Sequence, residues 1–204
     1  MRKLLPPTHL VDFSSNDYLG FARSEELADL YNQLTYDYHG STGSRLLTGN
    51  HEISMEVESF LAGHWGFESS LIFASGYMAN LGLLSALGDR HATILYDQLA
   101  HACIKDGARL SLANRRSFRH NDLAHLESML HKASGSVYVV VESIYSMDGD
   151  AAPLRQLCDL CEQHNAQLIV DEAHATAIIG TNGGGLSEAL GLSDRIFAMV
   201  NTFG

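Results

Sequence analysis

Two hydrophobic rhythms alternate along this chain. Short stretches that are apolar at nearly every position, Ser70 to Ala74, Thr93 to Tyr96, Ser136 to Val141, Gln167 to Val170 and Arg195 to Val200, predict strands covered on both faces. Between them the apolar residues recur at helical spacing. In Glu52 to Trp65, the residues Ile53, Val57, Phe60 and Leu61 share one face, and Met78 to Leu87, His101 to Leu110, Leu123 to His131 and Leu154 to His164 follow the same period. Strands alternating with helices predict an α/β fold with a mainly parallel sheet between helices, and ligands in such sheets sit beyond the carboxyl ends of the strands. The chain has no internal repeat, low-complexity tract or evident linker.

A length of 204 residues suits one domain or a large fragment of one, and 46% hydrophobic residues suffice for a sizeable core. The formal charge of -11 argues against nucleic acid or an anionic membrane surface as partner. Small anions are still acceptable, because the amides of a helix start bind phosphate whatever the global charge. The longest apolar runs, such as Val137 to Val141, fall far below the roughly 18 residues that span a bilayer. Met1 to Pro7 is basic without a long apolar stretch, so no signal peptide is expected. Three cysteines form an odd, sparse set that points to a reducing cytoplasm.

The strongest chemical signal is Asp171-Glu172-Ala173-His174 at the end of the run Gln167-Leu168-Ile169-Val170. An acid at a strand exit can hold a proton on a heterocyclic nitrogen, and a histidine three residues on can reach a ring oxygen. That pairing suits pyridoxal phosphate, whose ring works as an electron sink while its nitrogen stays protonated. Other candidates stand at other strand exits. Ser75-Gly76-Tyr77 opens a helix whose first amides can hold a phosphate, although an ordinary capped helix reads the same way. His101 can stack on a flat cofactor and relay a proton, or simply begin a helix. Glu142 and Ser146 lie in a polar stretch after the longest apolar run.

Several motifs favour plainer readings. Asp148-Gly149-Asp150 lacks the further oxygen ligands of a calcium loop, so no metal is expected there. Cys158 and Cys161, with His164 beyond, fit one buried face of an amphipathic helix better than a metal or redox pair. The stretch His39 to Arg45 is glycine-rich but carries neither a Walker lysine nor G-x-G-x-x-G. Gly180 and Gly183-Gly184-Gly185 read as a turn, either a plain loop or the flank of a site.

Taken in order, these motifs resemble the α-oxoamine synthases, which are fold-type I pyridoxal phosphate enzymes. The resemblance runs through Phe13-Ser14-Ser15-Asn16-Asp17-Tyr18-Leu19-Gly20, Gly43-Ser44-Arg45, Ser75-Gly76-Tyr77-x-Ala79-Asn80, Asp97-Gln98-x-x-His101-Ala102, Ser146-Met147-Asp148-Gly149, Asp171-x-Ala173-His174 and Thr202-Phe203-Gly204. It implies a three-layer large domain over residues 41–204, preceded by an amino-terminal segment over 1–40. It implies decarboxylating condensation of an amino acid with an acyl thioester. Ser44-Arg45-Leu46, Thr48-Gly49-Asn50 and Asp171 to Thr176 lean towards L-alanine and a pimeloyl thioester, and members using glycine or serine carry similar motifs.

The resemblance also implies roles. Ser75, Gly76 and Tyr77 would contact the cofactor, and Thr202 would bind its phosphate. His101 would stack on the ring and place the substrate carboxylate. Asp171 would pair with the pyridine nitrogen, with Ser146 and His174 near the ring oxygen. Asn16 and Glu142 would line the substrate pocket; His101, Asp171 and His174 form the catalytic set. The Schiff-base lysine would immediately follow Gly204, in a chain roughly twice this length that forms a homodimer. The chain departs from the family pattern at Glu172, where Asp is common, and at Gly183 to Gly185, where Arg is common. The alternative of another class is an inactive fragment that serves as a binding or dimerisation module.

Overall fold

A computed structural model describes residues 13–35 and 40–203. Met1 to Pro7, His39 and Gly204, which entered the sequence reading, lie outside the described residues. The described residues form two units, residues 13–35 and residues 40–203. In the first, a short 3-10 turn, Phe21–Arg23, leads into helix α1, Glu25–Gln33. Ser24 caps α1 by accepting from the Leu27 amide at 3.1 Å, and Glu25 and Glu26 in the first turn favour the positive end of the helix.

The second unit is built on five parallel strands: β1 Thr93–Asp97, β2 Asn114–Phe118, β3 Val137–Glu142, β4 Gln167–Asp171 and β5 Ala198–Val200. Their order is β2-β1-β3-β4-β5. Helices α2 Glu52–Trp65, α3 Gly76–Leu87, α4 Ala102–Leu110, α5 Leu123–Leu130, α6 Leu154–Gln163 and α7 Gly185–Ala189 accompany them. The strands alternate between two cores. Leu95, Val139, Val141, Leu168 and Val170 pack with Leu126 and Leu130 of α5 and Leu154, Leu157, Cys158 and Cys161 of α6. Ile94, Val140 and Ile169 point the other way, to Leu84 of α3 and Ile104 and Ala108 of α4. This is a three-layer α/β/α arrangement, and each of these aliphatic side chains contributes about 1.5–3 kcal/mol on burial. Cys158 and Cys161 are free and buried, as the helical pattern required.

Three sequence expectations are corrected. Ser70 to Ala74 is not a strand. It joins no ladder among the described residues, Leu71, Ile72 and Phe73 are exposed, and its polar groups bond instead to Glu58, with the Ile72 amide donating to Oε1 at 2.7 Å. An apolar run signals burial in a sheet only if a partner strand is available. In its place the sheet takes β2, whose sequence Asn-Arg-Arg-Ser-Phe has no apolar pattern. β2 is an edge strand with Phe118 alone buried, and arginines along an edge discourage pairing with another chain. The stretch Arg195 to Val200 begins in a 3-10 turn, Ser193–Arg195, so only its last three residues are strand. Helix α2 forms where expected, but Ile53, Val57 and Phe60 on its apolar face are exposed.

Candidate functional site

The order β2-β1-β3-β4-β5 reverses direction between β1 and β3, and the crevice at such a switch point is where open α/β sheets bind ligands. Three acids stand at the carboxyl ends of three consecutive strands: Asp97 on β1, Glu142 on β3 and Asp171 on β4. Glu142 and Asp171 are register partners. All three are buried.

Asp171 is held by two donors, the Ala173 amide at 2.9 Å and Asn80 Nδ2 at 2.7 Å. Burial raises its pKa, against the opposing pull of those two bonds and of nearby His101 and His174. Among the described residues no Lys or Arg pairs with this buried carboxylate, so its charge is poorly compensated, and a cationic ligand at this position would compensate it. Glu142 accepts from the His101 amide at 2.5 Å and the Ser146 amide at 3.3 Å. Burial, reinforced by the Asp171 charge, pushes its pKa up to about 7.

His101 is the N-cap of α4, and its Nδ1 accepts from the Cys103 amide at 3.2 Å. Its ring meets Tyr77 edge-on at 6.2 Å, while the Tyr77 hydroxyl donates to Asp106 at 2.5 Å. The bond to Asp106 raises the Tyr77 pKa. Ser75 caps α3 by accepting from the Met78 amide at 3.2 Å, leaving the helix's first amides for an anion. A Cβ on Gly76 would lie 2.2 Å from Thr202 Cγ2, so the start of α3 and the segment after β5 approach each other as only glycine allows. Thus Ser75, Gly76 and Thr202 meet at one point, and Asp171, Glu142, His101 and His174 interact electrostatically or by hydrogen bond. Ser146 is exposed and tied to Glu142 through its amide. Asn16 belongs to the first unit, where its carbonyl accepts from the Tyr18 amide at 2.9 Å.

Sequence reasoning placed Asn80 in a motif but gave it no role. It is 1% exposed, and it reaches Asp171 from α3, one helical turn beyond Gly76. A lone amide in the apolar helix Gly-Tyr-Met-Ala-Asn-Leu-Gly-Leu-Leu was the available signal. A second missed feature is the cluster around His120. Its Nδ1 bonds Asp97 at 2.9 Å, its Nε2 bonds Asp150 at 2.8 Å, and Tyr145 packs edge-on at 4.5 Å. Burial opposes charge on this ring, yet the two carboxylates prevail and raise its pKa. Asp150 therefore anchors the loop carrying Ser146 to the sheet.

The remaining motifs are structural. Glu172, fully buried, accepts from Ser143 Oγ at 2.5 Å, the Leu186 amide at 3.0 Å, the Ser187 amide at 2.8 Å and Ser187 Oγ. It pins the glycine-rich turn, and a Cβ on Gly185 (φ +83) would strike its carboxylate. Arg45 closes its own loop, forking onto Glu58 at 2.5 and 2.8 Å and onto Asn50. Cys103 is buried against Asn80, and its pKa is pushed up to about 11, chiefly by burial, so it is not a reactive thiol.

Known proteins resemble this chain in sequence and fold. A putative 8-amino-7-oxononanoate synthase from Halalkalibacterium halodurans is 45% identical over 196 residues, covering 95% of this chain and 50% of the relative. The 8-amino-7-oxononanoate synthase of Chlorobaculum parvum is 45% identical over 206 residues, covering 96% of this chain and 52% of the relative. A serine palmitoyltransferase from S. paucimobilis, solved with a bound PLP–myriocin aldimine, superposes with a TM-score of 0.85 at 36% identity, covering 93% of this chain and 48% of that one. The chain thus spans about half the length of the curated relatives it matches. The model of the family "Aminotransferase class I and II" matches residues 8–204. With the three-layer sheet and the acids at its carboxyl edge, that match shows that this chain belongs to the aminotransferase class I and II family.

Proposed function

We propose that this chain is the amino-terminal part of a pyridoxal phosphate-dependent α-oxoamine synthase. Its reaction is the decarboxylating condensation of L-alanine with a pimeloyl thioester to give 8-amino-7-oxononanoate. The observation that carries this reading is Asp171, buried at the sheet's carboxyl edge, bonded to Asn80 and the Ala173 amide, and without a Lys or Arg partner among the described residues. A pyridinium nitrogen fits that deficit. The cradle of Ser75, Gly76 and Thr202, too tight for any side chain at Gly76, fits a phosphate on the amides of α3. The names of the curated relatives, 8-amino-7-oxononanoate synthases, support the product.

When bound, the cofactor supplies an electron-withdrawing ring that makes the amino acid's Cα acidic. The chain's own residues do the rest. Asp171 would hold a proton on the ring nitrogen, with Asn80 keeping its carboxylate aimed. His101 would stack on the ring, orient the substrate carboxylate and donate a proton to a carbonyl oxygen of the substrate. Ser146 and His174 would hydrogen-bond near the ring oxygen. Glu142 would line the substrate pocket, and a Schiff-base lysine would stand immediately after Gly204. We place the enzyme in the cytoplasm as a homodimer. The exposed Leu46 (94%), Leu47 (82%) and Phe60 (66%) support a partner surface on this unit.

Substrate choice rests on a few pocket atoms, worth about 1–3 kcal/mol per methylene. Turnover by the full-length protein with alanine, glycine and serine, each against pimeloyl, acetyl and palmitoyl thioesters, tests it. Alanine with pimeloyl thioester should give the highest kcat/KM; preference for another pair reassigns the substrates. Asp171→Asn removes one charge from a contact worth about 4 kcal/mol at an effective dielectric near 20, or roughly a thousandfold in rate. Near-normal turnover of that folded variant would remove the proposal.

A further inference from the structure

Three side chains with metal-ligand chemistry converge at the edge of the sheet opposite the acids. Glu127 lies on α5, His131 caps the carboxyl end of α5, and His164 caps the carboxyl end of α6. One ligand atom from each lies within 4.8 Å of the other two, and the two imidazole rings stand edge to face with centroids 4.6 Å apart. No hydrogen bond or ion pair among the described residues engages the Glu127 carboxylate or either ring, so all three remain available as ligands. The His131 and His164 amides donate to Glu127 and Leu160 carbonyls at 3.0 and 3.2 Å, which fixes both ring-bearing residues on regular helix ends.

Two independent features favour a cation here. Helix carboxyl termini carry roughly half a negative charge each, and two of them, those of α5 and α6, meet at this point. The chain as a whole carries a formal charge of -11. Lys132, the adjacent cation, is exposed and screened by water. Two imidazoles and a carboxylate form a borderline-soft set that suits a tetrahedral divalent transition ion with water in the fourth position. Bonds of about 2.0–2.1 Å set ligand atoms roughly 3.3 Å apart in a tetrahedron, a closure that small rotations of these side chains supply.

We propose that Glu127, His131 and His164 form a binding site for a Zn2+-class divalent ion that joins the ends of α5 and α6, a strand length away from the acidic edge. It is independent of the proposed catalytic reaction. The test is isothermal titration calorimetry of the full chain, cofactor-free and stripped with chelator, using zinc chloride. One ion per chain with a micromolar Kd is expected, with a rise in Tm of at least about 2 °C at saturation. His131→Ala and His164→Ala should each weaken binding at least tenfold, and Glu127→Gln about threefold. His131→Asn and His164→Asn replace the alanine variants if circular dichroism shows loss of helix. An unchanged isotherm in the double histidine variant, or a wild-type Kd weaker than about 1 mM, overturns the site.

Discussion

Glu142 offers a test of the site's electrostatics without any ligand. It is 2% exposed, and burial with the Asp171 charge beside it lifts its pKa from 4.5 to about 7. That difference disfavours the ionised form in the fold by about 3 kcal/mol. A carboxyl whose folded pKa lies above its unfolded one supports the fold while protonated, fully below about pH 4.5, and that support fades as pH climbs through about 7. Glu142→Gln is neutral at every pH and keeps an oxygen to accept from the His101 amide. Relative to wild type, it should therefore gain about 3 kcal/mol between pH 4.5 and 8, levelling off above. Urea unfolding of cofactor-free protein, followed by circular dichroism and by fluorescence of the single Trp65, measures this. His120, whose pKa is also raised, contributes equally to both proteins and cancels in the difference. Because Asp171 supplies part of the lift, Asp171→Asn should flatten part of the wild-type slope. A variant-minus-wild-type difference that stays constant over this range refutes the electrostatic account.

Two more substitutions probe the cofactor cradle. Asn80→Ala loses a hydrogen bond to a charged group, about 1.5–3 kcal/mol, but also removes a buried carbonyl oxygen that has no partner among the described residues, about 1–3 kcal/mol. Stability should change by less than about 2 kcal/mol while cofactor dissociates faster; a large loss of stability with unchanged cofactor retention would make Asn80 merely structural. Gly76→Ala gains helix propensity of about 1 kcal/mol, yet its methyl would stand 2.2 Å from Thr202 Cγ2. Cofactor titration should show at least about tenfold weaker binding, and wild-type affinity would refute the cradle.

The sequence by itself determined the layers, because a strand buried on both faces must be apolar throughout, and Val137 to Val141 and Leu168 to Val170 allow no other placement. It also marked Asp171, His101 and Ser75, since polar groups at the boundary between an apolar run and a helix have few purposes. What it could not determine were features set by partners distant in the chain. β2 lacks an apolar pattern because an edge strand needs only one neighbour, and Ser70 to Ala74 has the pattern but no neighbouring strand among the described residues. The Asn80–Asp171 bond crosses 91 positions, and Asp97, His120 and Asp150 come from three strand exits. Only the parallel stacking of strands in the order β2-β1-β3-β4-β5 brings those side chains within hydrogen-bond reach, because a local pattern encodes which face of an element is buried but not which element lies against it.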